Sequence, residues 1–293
     1  MHPARDAECS PHTLGRENSG LSGKAEDPIG VFDSGAGGLT ILSALCQELP
    51  YENYIYFGDT AHCPYGTRSD AEIIELTVQG CRFLIEQGVK LIVVACNTAS
   101  QAALNSLRAT FTAIHFVGVV PAVKPAARAT KKGRIGIATT YHASQAKYLE
   151  QLIAEFAEAG GIQAYPVACP ELVTLVEQGE LDGLVVEETV KQAMQPILRE
   201  DVDVIVLGCT HFPALRPVIE RITSHQVYII DSGLAVARRT HYVLDTERLI
   251  HPNNSYHALS GKLQIWCSGD AGVFCTVASK LLGYPVAAHQ ARL

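Results

Sequence analysis

The chain predicts an α/β fold, with mainly parallel sheets flanked by helices in two pseudosymmetric halves and a site in the cleft between them. Three observations carry this expectation. Short apolar runs alternate with helix-spaced segments along most of the sequence. Several of those runs are apolar throughout, the mark of strands buried on both faces. A strand-end cysteine also recurs, at Cys96 and Cys209, in two blocks that open alike on Ile29-Gly30-Val31 and Ile135-Gly136-Ile137.

The elements follow in order. Ile29–Phe32 reads as a strand that ends in the turn Asp33-Ser34-Gly35-Ala36-Gly37-Gly38, and Leu39–Leu49 has helical spacing. Tyr54–Phe57 is a second strand, ending at Gly58-Asp59-Thr60. Ser69 and Glu72 match a capping box, which starts a helix that Gly88 is placed to end. Leu91–Ala95 is a buried strand that ends at Cys96, with a helix expected over Ala99–Phe111. The second block repeats the alternation. Arg134–Ala138 is a strand, Ser144–Ala159 a helix, and Leu172–Gln178 and Val185–Leu198 are further helices. Val204–Gly208 is a buried strand ending at Cys209, a helix starts near Pro213, and Val227–Ile230 is the last strand before Asp231-Ser232-Gly233.

Composition bounds the function. The 293 residues are 47% hydrophobic and 18% charged, enough apolar content for a core and too much for a disordered chain. The net charge of −7 argues against broad binding to nucleic acid or anionic membrane. Nine cysteines, an odd number spread over a long chain, do not form a small-disulfide framework, and no CxxC pair suggests a structural zinc site. The start has no apolar leader and no span of 18 uncharged apolar residues follows, so a cytoplasmic location with reduced thiols is expected. Residues 1–27, polar and rich in Gly, Ser and Pro, read as a flexible or loosely docked extension.

The candidate chemistry lies at the two strand-end cysteines. Cys96 stands in Ala-Cys-Asn-Thr-Ala and Cys209 in Gly-Cys-Thr-His-Phe-Pro, each between a strand and a helix. A helix N-terminus favours a thiolate and its amides suit a carboxylate. Asn97, Thr98, Thr210 and His211 add hydrogen-bonding groups, and Asp33 or His211 could exchange a proton with the neighbouring thiol. Two thiols on opposite sides of a small acid would allow one to remove a proton from carbon and the other to return one on the opposite face. A cysteine at the end of a buried strand is ordinarily just a small buried hydrophobe; matching contexts in two halves weigh against that here. Cys63, in His-Cys-Pro-Tyr-Gly, reads as a loop thiol, and Cys46, Cys81, Cys267 and Cys275 as inert core. The DSGAGG turn at 33–38 could cradle a phosphate or be a tight turn only; it lacks a GxGxxG fingerprint and a P-loop lysine.

Six segments in order, FDSGAGGL (32–39), YFGDTAHCPYG (56–66), ACNTAS (95–100), ACPELV (168–173), LGCTHFPAL (207–215) and IDSG (230–233), resemble the glutamate racemases of the cofactor-independent aspartate/glutamate racemase superfamily. The resemblance runs from about Ile29 to Ala237. It implies two α/β domains, here 28–122 with 231–293 and 123–230, and an active site between them. It implies that Cys96 deprotonates D-glutamate and Cys209 L-glutamate, with Asp33 and His211 as their respective helpers. It implies substrate contacts from Asp33, Ser34, Tyr65, Gly66, Asn97, Thr98, Thr139, Glu171, Thr210 and His211. It further implies no cofactor and no metal, a homodimer, a role in peptidoglycan synthesis and cell shape, and, in extended members, activation by a cell-wall nucleotide precursor. The chain departs from the family pattern at His142, where many members carry a second threonine. Two other readings stay open: a sister racemase, isomerase or decarboxylase for another small acid, and an interaction protein on the same scaffold.

Overall fold

The computed structural model describes residues 23–252 and 261–292. In the first block β1 (Ile29–Asp33), α1 (Leu39–Glu48), β2 (Tyr54–Gly58), α2 (Asp70–Glu86), β3 (Leu91–Val94), α3 (Asn97–Thr110) and β4 (His115–Gly118) alternate. After α4 (Val123–Ala129) come β5 (Arg134–Thr139), α5 (Tyr141–Ser144), α6 (Lys147–Phe156), β6 (Gln163–Ala168), α7 (Pro170–Glu177), α8 (Leu184–Leu198), β7 (Val204–Leu207), α9 (Arg216–Ile222) and β8 (Tyr228–Ile230). The chain then returns to the first sheet with α10 (Gly233–Thr246), β9 (Leu263–Cys267), α11 (Ala271–Leu282) and β10 (His289–Gln290).

The first sheet runs β10-β9-β2-β1-β3-β4 and the second β6-β5-β7-β8. Every pairing is parallel. Strands β1–β4 and β5–β8 therefore take the same spatial order, and the faint repeat in the sequence is a repeat of topology. The order reverses beside β1 and beside β5. At such a switch point the connections diverge and leave a crevice at the carboxyl ends of the strands. Asp33 ends β1 and Cys96 follows β3; Thr139 ends β5 and Cys209 follows β7.

Both faces of each sheet are covered. Val31 and Val93 face a cluster with Leu42 and Val277, while Phe32 and Ile92 face one with Leu84 and Leu107. In the second sheet Ile205 packs with Leu172 and Met194, and Val204 and Val206 with Leu149 and Leu152. Each buried side chain of this kind contributes about 1.5–3 kcal/mol. That two-sided burial fixes the strand ends and so the residues they carry.

Local signals explain several boundaries. Ser69 and Glu72 form the expected capping box, and Gly88, at φ +77°, follows the end of α2 in the left-handed region. The helix expected over 144–159 is shorter, Lys147–Phe156, because Ala146 is extended between α5 and α6 and a 3-10 turn, Glu158–Gly160, follows. Thr140 caps α5 and also meets Thr98, which holds that short turn against the first block. Of the expected extension, residues 1–22 lie outside the described residues. Closer in, the Ala25 carbonyl accepts a hydrogen bond from the buried Lys90 Nζ at 2.6 Å, and Lys90 pairs with Glu52 at 2.5 Å. The eight cysteines among the described residues are all free, and none of the described helices is long and apolar enough to cross a membrane.

Candidate active site

Cys96 is the N-cap of α3, and its Sγ accepts from the Ala99 N–H at 3.4 Å. Ser34 Oγ lies 3.4 Å from the same sulfur. Burial, then the charge of Asp33, pushes the Cys96 thiol up to about 12, while the Ser34 and Ala99 contacts pull the other way. Asp33 acts on this thiol through its charge. Its own oxygens accept from the Gly35 N–H at 2.9 Å and the Thr210 hydroxyl at 3.2 Å, the second contact crossing to the other block. Burial raises the Asp33 carboxyl above its ordinary range, and the charge of His211 partly offsets this.

The Cys209 side is built differently. A single 3-10 turn, Phe212–Leu215, intervenes before α9, so no long helix starts at this sulfur. Instead His211 Nδ1 lies 3.5 Å from Cys209 Sγ. His211 Nε2 is 2.5 Å from Glu177 Oε1, which also accepts from the Ala36 N–H at 2.7 Å. Burial alone would lower His211, but hydrogen bonds with Cys209, Cys63 and Glu177 outweigh it and hold the imidazole well above the usual histidine value. Glu177 shows the complementary effect: burial raises its carboxyl, and the bond and charge of His211 bring it below the ordinary range.

Further contacts close the two blocks on each other. Asn97 Nδ2 donates to the Gly208 carbonyl at 2.5 Å, Thr40 Oγ1 donates to the Thr210 carbonyl at 2.9 Å, and Thr98 and Thr140 hydroxyls meet at 3.1 Å. Gly37 permits this approach, since a Cβ there would stand 2.5 Å from His211 Nδ1. The space left between the thiols is a cavity of about 20 Å³. Asn97 Oδ1, buried in its wall, has no hydrogen-bond partner among the described residues.

Of the expected residues, Ser34, Tyr65, Gly66, Cys96, Asn97, Thr98, Cys209, Thr210 and His211 line this cavity. Tyr65 does so with its hydroxyl already given to Asp59 at 2.6 Å. Three expected residues lie elsewhere. Asp33 sits behind the lining as described above. Thr139 is turned to the Gly208 carbonyl at 3.3 Å, and the threonine in the wall is its neighbour Thr140. Glu171 is exposed in the first turn of α7 and outside the lining. The glutamate that reaches the site is Glu177, at the other end of the same helix. His142 faces Asp70, 2.6 Å away, in a neighbouring cavity of about 600 Å³. No metal set was visible in the sequence, yet Cys63, Glu177 and His211 bring ligand atoms within 4.8 Å of one another.

Comparison with known proteins gives a consistent picture. The model of the Asp/Glu/Hydantoin racemase family matches residues 39–240. A glutamate racemase of Herpetosiphon aurantiacus is 43% identical over 252 residues, 86% of this chain and 96% of its own. The structure of a glutamate racemase isoform from Bacillus anthracis superposes with a TM-score of 0.82 at 34% identity, covering 92% of this chain and 98% of that one. The Escherichia coli glutamate racemase, solved with L-glutamate and the activator UDP-MurNAc-Ala, gives a TM-score of 0.76 at 35% identity over 87% of this chain and 95% of that one.

Proposed function

Since the chain belongs to the Asp/Glu/Hydantoin racemase family and is an amino-acid racemase, we propose that it interconverts L- and D-glutamate by proton transfer between Cys96 and Cys209. One observation supports the mechanism above others: two thiols from equivalent strand ends flank one buried cavity, each with its own polar partner.

In this reading the α-carbon of glutamate lies between the sulfurs. Cys209 as thiolate takes the α-proton of L-glutamate, and the Cys96 thiol delivers its proton to the opposite face; the reverse sequence converts D-glutamate. His211, within reach of Cys209 Sγ, passes protons to and from that sulfur. The two thiols must carry one proton between them for either direction to begin. Asn97 Oδ1, a buried acceptor without a partner among the described residues, suits the substrate ammonium, and the α3 amides and Thr210 suit a carboxylate. A cavity of about 20 Å³ holds about one water. The two blocks must therefore part to admit an amino acid, breaking the Asn97–Gly208 and Thr98–Thr140 contacts.

The product would serve peptidoglycan synthesis, and by likeness to the Escherichia coli protein a cell-wall nucleotide precursor is the proposed activator. Circular dichroism of L- and of D-glutamate with the purified protein tests the reaction. Full racemisation by either Cys96→Ser or Cys209→Ser would overturn the mechanism, and turnover of aspartate or hydantoins in preference to glutamate would overturn the substrate.

A further inference from the structure

Cys63 does not line the chamber between the two thiols. It enters the structure on the far side of His211, where its Sγ, Glu177 Oε1 and a His211 ring nitrogen lie within 4.8 Å of one another. We propose that these three side chains form an inhibitory site for a thiophilic divalent cation, zinc in particular, that takes His211 away from Cys209.

The donor set is one sulfur, one imidazole nitrogen and one carboxylate oxygen, the mixture zinc accepts at about 2.0–2.3 Å with a fourth position left open. Donors on such a shell stand about 3–4 Å apart, so modest side-chain rotations would close the present cluster around an ion. Its walls are built for close approach: a Cβ on Gly35 would strike Glu177 Oε1 and stand 2.9 Å from Cys63 Sγ. Cys63 and Glu177 line a second cavity of about 410 Å³ that adjoins the chamber along Pro64 and Val173, and neither Cys63 nor Glu177 lines the chamber itself. His211 stands between the two spaces, its Nδ1 toward Cys209 and its Nε2 toward Glu177.

Binding at Nε2 expels the proton shared by His211 and Glu177, and binding at Cys63 expels the thiol proton; both leave to solvent. An imidazole coordinated at Nε2 is neutral and can no longer carry a proton to and from Cys209. The site itself stands on geometry, whereas the inhibition rests on the racemase reading above.

Cobalt(II) titration of the purified protein tests the site without reference to turnover. The expected result is a sulfur-to-cobalt charge-transfer absorption in the native protein and in Cys96→Ser, and its loss in Cys63→Ser. Zinc inhibition of glutamate racemisation, measured for each protein against its own metal-free rate, should weaken at least about tenfold in Cys63→Ser, with chelation restoring the native enzyme. Absence of the absorption in the native protein, or its persistence in Cys63→Ser, overturns the site. Equal zinc inhibition of native and Cys63→Ser protein means that the metal acts on other thiols, and overturns the control of His211. A protein that turns over no glutamate yet shows the Cys63-dependent absorption overturns the racemase reading and keeps the site.

Discussion

Cys96 and Cys209 leave equivalent strands of two like-ordered sheets, yet their surroundings have little in common. Cys96 caps a 14-residue helix, accepts an N–H from Ala99 and touches Ser34, and the charge that acts on it most is the Asp33 carboxylate. Cys209 is followed by one 3-10 turn and relies on His211, itself held by Glu177. One thiol is served by fixed backbone dipoles and a hydroxyl, the other by a titratable relay. The repeat therefore supplies the placement of two acid/base groups, while the means of moving protons differ between halves. A strict limit applies to how that difference can show. Enantiomers have equal free energy, so kcat/KM must be the same in both directions at every pH and in every racemising variant. The asymmetry can appear only in kcat and KM separately, or in exchange without inversion.

Removing either thiol gives the largest effect. Cys96→Ser and Cys209→Ser should each lose racemisation by on the order of 10³-fold or more, and each should keep one half-reaction. In deuterated water Cys209→Ser should exchange the α-proton of D-glutamate and Cys96→Ser that of L-glutamate, each without inversion. Proton NMR of the α-position reads this directly. Both variants exchanging the same enantiomer would break the comparison.

Next in size is a steric test of the Cys209 half. Gly37→Ala places a methyl 2.5 Å from His211 Nδ1, so the ring must move away from Cys209. A misplacement of this order costs about 100-fold in rate. Because Cys96 is not touched, α-exchange of D-glutamate should outlast racemisation in this variant; parallel loss of both would show that His211 serves the two thiols together.

Much of this arrangement is legible in the sequence, and the gaps have physical causes. The apolar runs that end at Asp33, Cys96 and Cys209 announce central strands, because both faces are buried and polar residues are excluded. Two of the edge strands are less plainly marked, since β4 begins on an exposed His115 and no residue of β6 is fully buried, whereas the edge strand β8 is legible from Val227–Ile230. Glu177 is harder still. Glu171 lies in the motif-like ACPELV, whereas Glu177 stands in an ordinary helical stretch and meets His211 only because Gly35 lacks a side chain. One available signal was spacing: residues 171 and 177 lie at opposite ends of one eight-residue helix, so only one end can reach a given site.

Glu177→Gln tests the relay itself. Losing a charged hydrogen bond costs about 1.5–3 kcal/mol, and with the fold intact a loss of about 10–150-fold in kcat is expected. The sign of the pH effect follows from the shifts. His211 is held above its unfolded value, so the pair's stabilisation through His211 is full below pH ~6.5 and is lost as pH rises through the raised native value. Glu177 is held below its unfolded value, so its share is present above pH ~4.3 and is lost as pH falls through the native value. Gln at this position removes both, and His211 should titrate at lower pH by NMR. An unmoved His211 titration would show that Cys209 and Cys63 alone hold the imidazole up.

The smallest expected effect belongs to the other half. Ser34→Ala removes the hydroxyl 3.4 Å from Cys96 Sγ, a contact that favours the thiolate, and leaves the Ala99 N–H and the start of α3 in place. One neutral hydrogen bond contributes about 0.5–1.5 kcal/mol, which corresponds to about 2–10-fold in rate. Loss of the hydroxyl raises the Cys96 thiol further, so D-glutamate, whose conversion begins with the Cys96 thiolate, should lose in kcat, while the shared kcat/KM falls equally for both enantiomers. Thiol-directed labelling of Cys96 should slow by a similar factor. If Ser34→Ala costs as much as Glu177→Gln, the helix N-terminus contributes little at Cys96, and the two halves are closer in mechanism than their surroundings imply.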